Sequence, residues 1–314
     1  MNSIARSLVI LGWLAACSKG ADAPPPPPAE PATPVTNPAT NPVTKVGVFE
    51  GPLGGPMRLP TRLVAGPDGL VFVSDPGLDR VWGFRSGVVD MVLTGLDRPL
   101  GVAVAGQRLL VGNAGRRNVE LYDLTTRSLV GELADIGLPN ALAVQGDDLY
   151  VADSHADQVL RFSLTDRRLL GRIGAPGSGP GELRFPAGVA VDADRVVVAD
   201  QGNHRVQIFS RDGKFLQMFG APIPELATVP GDHAGRFTRV QAVALIRDRI
   251  YVLDSFHGRV QAFDFEGQLV GGAGQRGRCA SCFGLALDIS RSARDSLLAT
   301  DSDHGRWVEL PAPL

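Results

Sequence analysis

Short apolar runs separated by turn residues recur along most of the chain. The clearest case lies between Phe185 and Gly220, where four such runs are divided by stretches rich in Asp, Gly and Asn. Apolar runs of this length with such boundaries are typical of β-strands. Four of them in succession predict one four-stranded antiparallel unit, and the pattern as a whole predicts an all-β chain.

The unit repeats along the chain. An Asp or Asn ends the second run of each unit, and an apolar residue follows six positions later. The pairs are Asp75 and Val81, Asn113 and Val119, Asp153 and Val159, Asp200 and Val206, Asp254 and Val260, and Asp301 and Trp307. Successive units are 38, 40, 47, 54 and 47 residues apart, which matches the period of propeller blades.

Each predicted blade should enter the ring through an innermost strand whose central residue is small. The predicted innermost strands are Leu63–Ala65, Val102–Val104, Leu142–Val144, Val189–Val191, Val243–Leu245 and Leu285–Leu287. The last unit ends shortly after Leu310 and lacks a fourth strand, whereas Lys45–Gly51 resembles the outer strand Lys214–Gly220. We therefore predict a six-bladed β-propeller of four-stranded blades, closed by an N-terminal strand that completes the last blade and covers its open edge.

The segment Phe185–Gly220, with Asn203-His204-Arg205 at its centre, resembles an NHL repeat. The resemblance extends over Lys45–Leu310 and is closest in repeats three to five. It implies a propeller in which the turns that follow the recurrent Asp lie on the face that usually binds partners. Two departures are Gly112-Asn113 in repeat two and Cys282 in repeat six, which replace Ala-Asp and Pro.

Composition changes sharply at the N-terminus. Residues 1–16 contain Arg6 and an apolar run too short to span a bilayer, which is typical of a signal peptide. Leu14–Cys17 resembles the bacterial lipobox, which implies cleavage before Cys17 and lipidation of its thiol. An ordinary secretory signal is the alternative. Residues 17–44 are proline-rich and predict a disordered tether, so the folded domain is expected to cover residues 45–314.

Residues that occur in every blade are best explained by a need common to every blade. On this ground the recurrent Asp or Asn is assigned to architecture, as are Arg80, Arg205, Arg259 and Arg306, and no catalytic residue is assigned. Four histidines lie in the same turns: His155, His204, His257 and His304. Because they belong to four different blades, they cannot converge on one metal ion. We therefore predict neither a metal site nor a cofactor.

Three features occur only once. Cys279 and Cys282 form either a disulfide or a redox pair, since Arg276 and Arg278 would lower a thiol pKa. The long stretch between Ala221 and Arg239 predicts a lid or partner-contact loop. Arginines also gather before the innermost strands and predict a basic rim for an anionic group. The predicted ligand-binding residues are Arg98, Arg184, His233, Arg236, Arg239 and Arg278.

These features favour a binding or scaffold module that engages a protein, peptide or carbohydrate through one propeller face. The signal places it in the bacterial cell envelope, and Ser18 and Lys19, which follow Cys17 directly in place of an acidic retention residue, favour the outer membrane. We expect a monomeric propeller that touches the membrane only through its lipid anchor. Export, a net charge of -2 and few aromatic residues in these turns argue against a nucleic-acid partner. The alternatives are a lyase or lactonase working in the central channel and a redox protein using the cysteine pair.

Overall fold

The apolar runs form strands that pair into six four-stranded sheets, and these sheets are the blades of a propeller. The computed structural model describes residues 57–222, 235–277 and 282–312, together with the backbone of Val48–Phe49. Within a blade the strands run antiparallel and follow one another outward from the central channel. The predicted all-β, six-bladed fold is confirmed.

The strands are numbered in chain order, beginning with β1 (Val48–Phe49). Blade 1 contains β2 (Leu63–Ala65), β3 (Leu70–Asp75), β4 (Arg80–Arg85) and β5 (Val88–Leu93), and blade 2 contains β6 (Pro99–Ala105), β7 (Arg108–Asn113), β8 (Asn118–Asp123) and β9 (Ser128–Leu133). Blade 3 contains β10 (Pro139–Gln145), β11 (Asp148–Asp153), β12 (Gln158–Ser163) and β13 (Arg168–Ile173). A short parallel pair, β14 (Ala175–Pro176) and β15 (Glu182–Leu183), precedes blade 4, which contains β16 (Pro186–Val191), β17 (Arg195–Asp200), β18 (Arg205–Ser210) and β19 (Phe215–Phe219).

Blade 5 contains β20 (Val240–Ile246), β21 (Arg249–Asp254), β22 (Arg259–Phe263) and β23 (Leu269–Ala273). A second parallel pair follows, β24 (Gln275–Arg276) and β25 (Cys282–Phe283), and blade 6 contains β26 (Ile289–Arg291), β27 (Leu297–Asp301) and β28 (Arg306–Leu310). Three-residue 3-10 turns occur at Pro67–Gly69, Gln201–Asn203 and Ser302–His304. Within the described ranges, no helical segment is long and apolar enough to cross a bilayer.

The innermost strand of blade 6 lies four residues later than predicted. Leu285–Leu287 was the predicted strand, but the ladder to β27 begins at Ile289, opposite Ala299. The sequence is misleading because Leu285-Ala286-Leu287-Asp288 imitates Val189-Ala190-Val191-Asp192 of blade 4. In blade 6 the buried Leu287 precedes the ladder, and its carbonyl oxygen accepts a hydrogen bond from Arg62 instead.

The last blade receives its fourth strand from the other end of the chain. Val48 pairs with Val308 and Phe49 with Trp307, antiparallel to β28. The remaining residues of Lys45–Gly51 lie outside the described part of the chain, as do the predicted signal peptide 1–16, Cys17 and the tether 17–44. Closure by the whole of Lys45–Gly51 stays a prediction.

The hydrophobic core is divided into six clusters, one at each junction between neighbouring blades. The cluster between blades 6 and 1 joins Leu298 and Trp307 to Leu63, Val73 and Trp82. Each fully buried side chain of this size contributes about 1.5–3 kcal/mol. The ring therefore closes by the same apolar packing that joins its other neighbours.

The two ends of the channel are named by their turns. On the upper face lie the turns that follow the recurrent Asp or Asn and the segments through which the chain enters each innermost strand. On the lower face lie the turns that join first to second and third to fourth strands. This distinction matters because the recurrent polar residues all lie at the upper face.

The outer strands of blades 1–5 carry a β-bulge at matching positions near their lower ends. The unpaired residue in each is Asp90, Val130, Leu170, Leu216 or Val270. Large apolar side chains are exposed beside or at these bulges, among them Val88, Leu129, Leu169, Leu216 and Leu269. A bulge bends the strand locally and interrupts its ladder.

Candidate functional site

The recurrent Asp and Asn side chains hold the chain where it enters each innermost strand. Asp75 accepts the N–H groups of Arg58 and Leu59, at 2.7 and 3.0 Å. Asn113, Asp153, Asp200, Asp254 and Asp301 accept N–H groups at the same place in their blades. The sequence predicted backbone bonds in the turn that follows; within the described ranges only Asp153 also accepts backbone N–H groups from that turn, those of His155 and Ala156. Each carboxylate thus ties the beginning of its blade to the end of the second strand.

Asp200 has the densest set of contacts. Its buried carboxylate accepts from the Arg184 N–H at 2.8 Å, and side-chain bonds come from Asn203, Arg205 and Gln207 at 2.8–3.0 Å. The same Arg205 donates to the carbonyl oxygens of Ser178, Gly179 and Glu182. A single ion pair therefore fixes both the blade and the connection that leads into it.

The expected pairing of recurrent arginines is found in three blades of four. Arg205, Arg306 and Arg259 lie 2.8, 3.1 and 3.7 Å from the carboxylates of their own blades. Arg80 does not follow this pattern. Its guanidinium lies over the Trp82 ring, and the Trp82 Nε1 donates to Asp75 at 3.4 Å in its place.

Blade 2 uses a different polar network, which explains its sequence departure. Asn118 stands where four of the other five blades have arginine, so in blade 2 both Asp and Arg have been replaced by neutral Asn. The buried Glu120 accepts hydrogen bonds from Tyr122 and from Arg116, the latter at 2.7 Å. Burial raises the pKa of Glu120, but these two bonds outweigh it, and its pKa lies below the usual range.

The four turn histidines serve the frame in different ways. The Nδ1 atoms of His257 and His304 lie 3.0 and 2.6 Å from the carboxylates of their own blades. His204 adopts a left-handed conformation with φ +56°, and its Nδ1 lies 2.8 Å from the carbonyl oxygen of Thr238 in the next blade. No cluster of three potential metal ligands occurs among the described residues.

Arg62 closes the upper end of the central channel. Its side chain is 1% exposed and reaches four other blades. The guanidinium donates to the carbonyl oxygens of Asn140, Ala187, Gln241 and Leu287 at 2.9, 2.6, 3.4 and 3.1 Å, to Asn140 Oδ1 at 2.8 Å and to Asp288 Oδ1 at 3.1 Å. Every N–H of this side chain is engaged, so Arg62 could bind an anion only by breaking contacts that hold the ring.

Below Arg62 the channel is a cavity of about 310 Å³ lined mainly by aliphatic residues of the innermost strands. Asp288 lies at its upper end, where one carboxylate oxygen faces Arg62 and the other accepts the Leu63 N–H at 2.9 Å. Burial raises the pKa of Asp288, and Arg62 offsets only part of that shift. The charged pair at the channel is therefore bound to itself and to the backbone.

Comparisons with known proteins agree with this geometry. A family model described as NHL repeat matches residues 183–209, the segment that enters blade 4 and contains Asp200 and Arg205. The chain is a six-bladed β-propeller with an NHL-repeat match in blade 4. The match covers the repeat whose recurrent carboxylate, Asp200, has the densest set of contacts.

Curated relatives match only part of this propeller. NHL repeat-containing protein 2 of Gallus gallus is 33% identical over 98 residues, which is 29% of this chain and 13% of that protein. Protein lin-41 of Caenorhabditis elegans is 57% identical over 44 residues, or 14% of this chain and 4% of its own length. The chain thus spans a small part of the curated relatives it matches.

Solved structures match over most of the chain. A streptogramin B lyase structure superposes with a TM-score of 0.58 at 11% identity, covering 84% of this chain and 96% of its own. Hydrazine synthase of Kuenenia stuttgartiensis gives a TM-score of 0.58 at 13% identity, covering 82% and 96%. At this identity the likeness concerns the propeller fold alone.

The predicted binding residues that are described all lie on the upper face of the propeller. Arg98 and Arg184 are exposed where the chain enters blades 2 and 4, and Arg236 and Arg239 precede blade 5. The Arg236 guanidinium donates to the Pro222 carbonyl oxygen at 3.2 Å, and Arg98 lies 3.8 Å from Asp97. His233, Arg278 and Cys279 lie outside the described residues. Cys282 is buried in β25, and its role as a disulfide or redox residue stays a prediction.

Sequence reasoning missed Arg62 and Asp288. They occupy the position just before the aligned innermost ladder, which in the other four blades holds Gly101, Ala141, Gly188 and Ala242. Four small residues leave space at the axis for one long side chain. The signal was therefore a large charged residue in a column of small ones, but the four-residue misplacement in blade 6 concealed it.

Proposed function

We propose that this chain is a noncatalytic binding or scaffold module of the bacterial cell envelope, and that its upper propeller face engages a protein or peptide partner. The observation that supports this proposal is the contrast between the repeated contacts inside the blades and the varied side chains exposed above them. The contacts of the recurrent Asp and Asn side chains fix the same backbone positions in all six blades, whereas the exposed side chains above them differ from blade to blade. A rigid frame that presents variable side chains is suited to recognition.

The channel geometry also favours binding at the face over chemistry inside the ring. A reacting group in the channel would need a free acid, base or nucleophile within reach of substrate. The charged side chains at the upper end of the channel, Arg62 and Asp288, are instead held by each other and by backbone groups of their own blades and of three further blades. The proposal therefore uses the upper face rather than the channel.

Reversing charge on the upper face should abolish capture of envelope partners. We expect an Arg58→Glu/Arg184→Glu variant of the full mature chain to retain less than a tenth of the partner retained by the unaltered chain, since both residues are exposed there. The matched control is Arg108→Glu/Lys214→Glu, which changes two exposed residues of the lower face. Quantitative affinity capture from envelope extracts measures both. Equal loss in the two variants would contradict binding at the upper face.

The envelope location is tested at Cys17. We expect a Cys17→Ala variant to move from the membrane fraction to the soluble fraction, because one thiol carries the proposed lipid anchor. Fractionation after a high-salt wash measures this, with Cys282→Ser as the control that should stay in the membrane fraction. A Cys17→Ala protein that stays with the membranes would count against lipidation at this residue.

A further inference from the structure

Two positions in every blade meet on the upper face. The approach position is the residue whose N–H binds the recurrent Asp or Asn, and the turn position lies two residues after that Asp or Asn. The approach positions are Arg58, Asp97, Gly137, Arg184, Thr238 and Gly284. The turn positions are Gly77, Gly115, His155, Gly202, Phe256 and Asp303. In five blades one member of the pair is glycine.

The glycines are required by close contact with the other member. A Cβ built on Gly115 would lie 2.0 Å from the Asp97 carboxyl carbon, and one on Gly202 would lie 2.5 Å from Arg184 Cγ. In blade 6 the roles reverse, since a Cβ on Gly284 would lie 2.6 Å from Asp303 Cβ. Blades 1 and 3 show milder crowding: a Cβ on Gly77 would lie 3.2 Å from Leu59 Cβ and 3.3 Å from Arg58 Cδ, and one on Gly137 would lie 2.7 Å from Asp153 Oδ1 and 3.0 Å from His155 Cβ. In blades 2, 4 and 6 the two positions therefore exclude each other sterically, and in blades 1 and 3 they crowd each other.

Each blade consequently presents one large side chain at this place, taken from either position. We call these six residues the display ring, and all six are exposed: Arg58, Asp97, His155, Arg184, Phe256 and Asp303. In blade 5 the small Thr238 takes the place of glycine and leaves room for Phe256. The bond made by the recurrent Asp or Asn is repeated in all six blades, yet neighbouring blades display different kinds of side chain.

The display ring mixes charges of both signs. Arg58 and Arg184 are cations, Asp97 and Asp303 are anions, and Phe256 is its one apolar member. A polyanion would be repelled by the two acids, and a neutral glycan would leave four charges without partners. A peptide segment can match all three kinds of group, because it carries acidic, basic and apolar side chains together.

Blades 4, 5 and 6 present Arg184, Phe256 and Asp303 in that order. Phe256 is 47% exposed, and His257 packs edge-on against it with ring centroids 5.2 Å apart, which restricts the ring before any partner arrives. Exposed aromatic and arginine side chains are the commonest sources of binding energy at protein interfaces. Little side-chain entropy remains to be lost at Phe256 on binding.

We propose that the display ring determines the specificity of the upper face, and that its partner is a peptide segment whose apolar residue contacts Phe256 between an acidic group at Arg184 and a basic group at Asp303. This inference rests on the proposed function, since it assigns a ligand class to the same face. It goes further by naming which side chains select the partner.

The steric rule is testable without a ligand. We expect Gly115→Ala to lower the melting temperature, and Asp97→Gly to restore most of the loss when the two are combined. Gly284→Ala and Asp303→Gly should behave in the same way in blade 6. Double-mutant cycles by thermal denaturation measure the coupling. Strictly additive effects in both blades would show that the two positions do not exclude each other.

The ligand class is tested with a displayed library of random peptides selected against the full mature chain. We expect the enriched peptides to carry an apolar residue between an acidic and a basic one. Phe256→Ala should weaken their binding at least tenfold, whereas Leu216→Ala, which truncates an equally exposed residue on an outer strand, should leave it unchanged. Charge reversal by Arg184→Glu should weaken binding and be rescued by reversing the acidic residue of the peptide.

The outcomes separate this inference from the proposed function. If peptide binding is lost with Arg98→Glu but not with Phe256→Ala or Arg184→Glu, the inference about the display ring is overturned. The proposal of a binding module that uses the upper face then still stands. Peptides lost only with the lower-face variant Arg108→Glu would overturn both. Failure to enrich any peptide, with retention of the chain on a glycan array, would overturn the peptide class. Melting curves of every variant confirm that the ring is folded when binding is measured.

Discussion

Replacing Arg62 by methionine is expected to lower the free energy of unfolding by about 3–5 kcal/mol, the usual loss when one partner of a buried ion pair is removed. The substitution leaves Asp288 without its cation and takes hydrogen bonds from four backbone carbonyl groups. Urea denaturation measures the loss. Arg108→Met is the control, because that arginine is exposed on the lower face, and its effect should stay within about 0.5 kcal/mol.

The loss at Arg62 should depend on pH. Burial already raises the folded-state pKa of Asp288 above its unfolded value of about 3.9, and in the variant this pKa rises further because no cation opposes the effect of burial. An acid with a raised folded pKa destabilises the fold when it is ionised, so the deficit is largest at neutral pH. It should shrink as pH falls towards the unfolded pKa. Adding Asp288→Ala should recover part of the loss at pH 7 and remove its pH dependence.

If the loss in free energy of unfolding of the Arg62→Met variant is the same at pH 7 and pH 4, Arg62 acts through its hydrogen bonds to carbonyl groups alone. The other carboxylates of the ring do not confuse this comparison, because they are present in both proteins and their titration cancels in the difference. The double variant then separates the charge from the hydrogen bonds.

Replacing Asp200 by alanine is expected to cost about 3–5 kcal/mol, since it leaves the largely buried Arg205 guanidinium without its counter-ion. The matched control is Asn113→Ala, at the same place in blade 2, where Asn118 replaces the arginine. That change removes a neutral contact and should cost about 1 kcal/mol. Chemical denaturation of both variants tests the contrast. Equal losses would mean that the ion pair adds nothing to the bond with the entering backbone.

The repeat positions explain why so much of the fold follows from the sequence. Each blade needs the same bond at the same place, so the residues that make it recur at matching positions in the sequence. They are Asp75, Asn113, Asp153, Asp200, Asp254 and Asp301. Three of the turn histidines, His204, His257 and His304, make contacts within this frame, whereas the His155 side chain is exposed. A structural role that every blade shares produces a periodic pattern of residues, and such a pattern can be recognised from the sequence alone.

What could not be predicted depends on contacts between residues far apart in the chain. Arg62 binds Asn140, Ala187, Gln241 and Leu287, which lie in four blades and have no fixed spacing from it. The pairing of Asp97 with Gly115 also passed unnoticed, because a glycine in a turn is ordinary until its neighbour is known. The display-ring residue comes from the approach position in some blades and from the turn position in others. A search at one fixed sequence offset from the recurrent Asp or Asn therefore misses it.

The bulged outer strands have a consequence for the behaviour of the protein in concentrated solution. Five open strand edges with exposed valine, leucine and methionine side chains would ordinarily act as templates for polymerisation. A straight partner strand cannot follow a strand whose register shifts after three residue pairs. Many copies crowded side by side should therefore remain separate particles, with their rims in contact but without forming fibres.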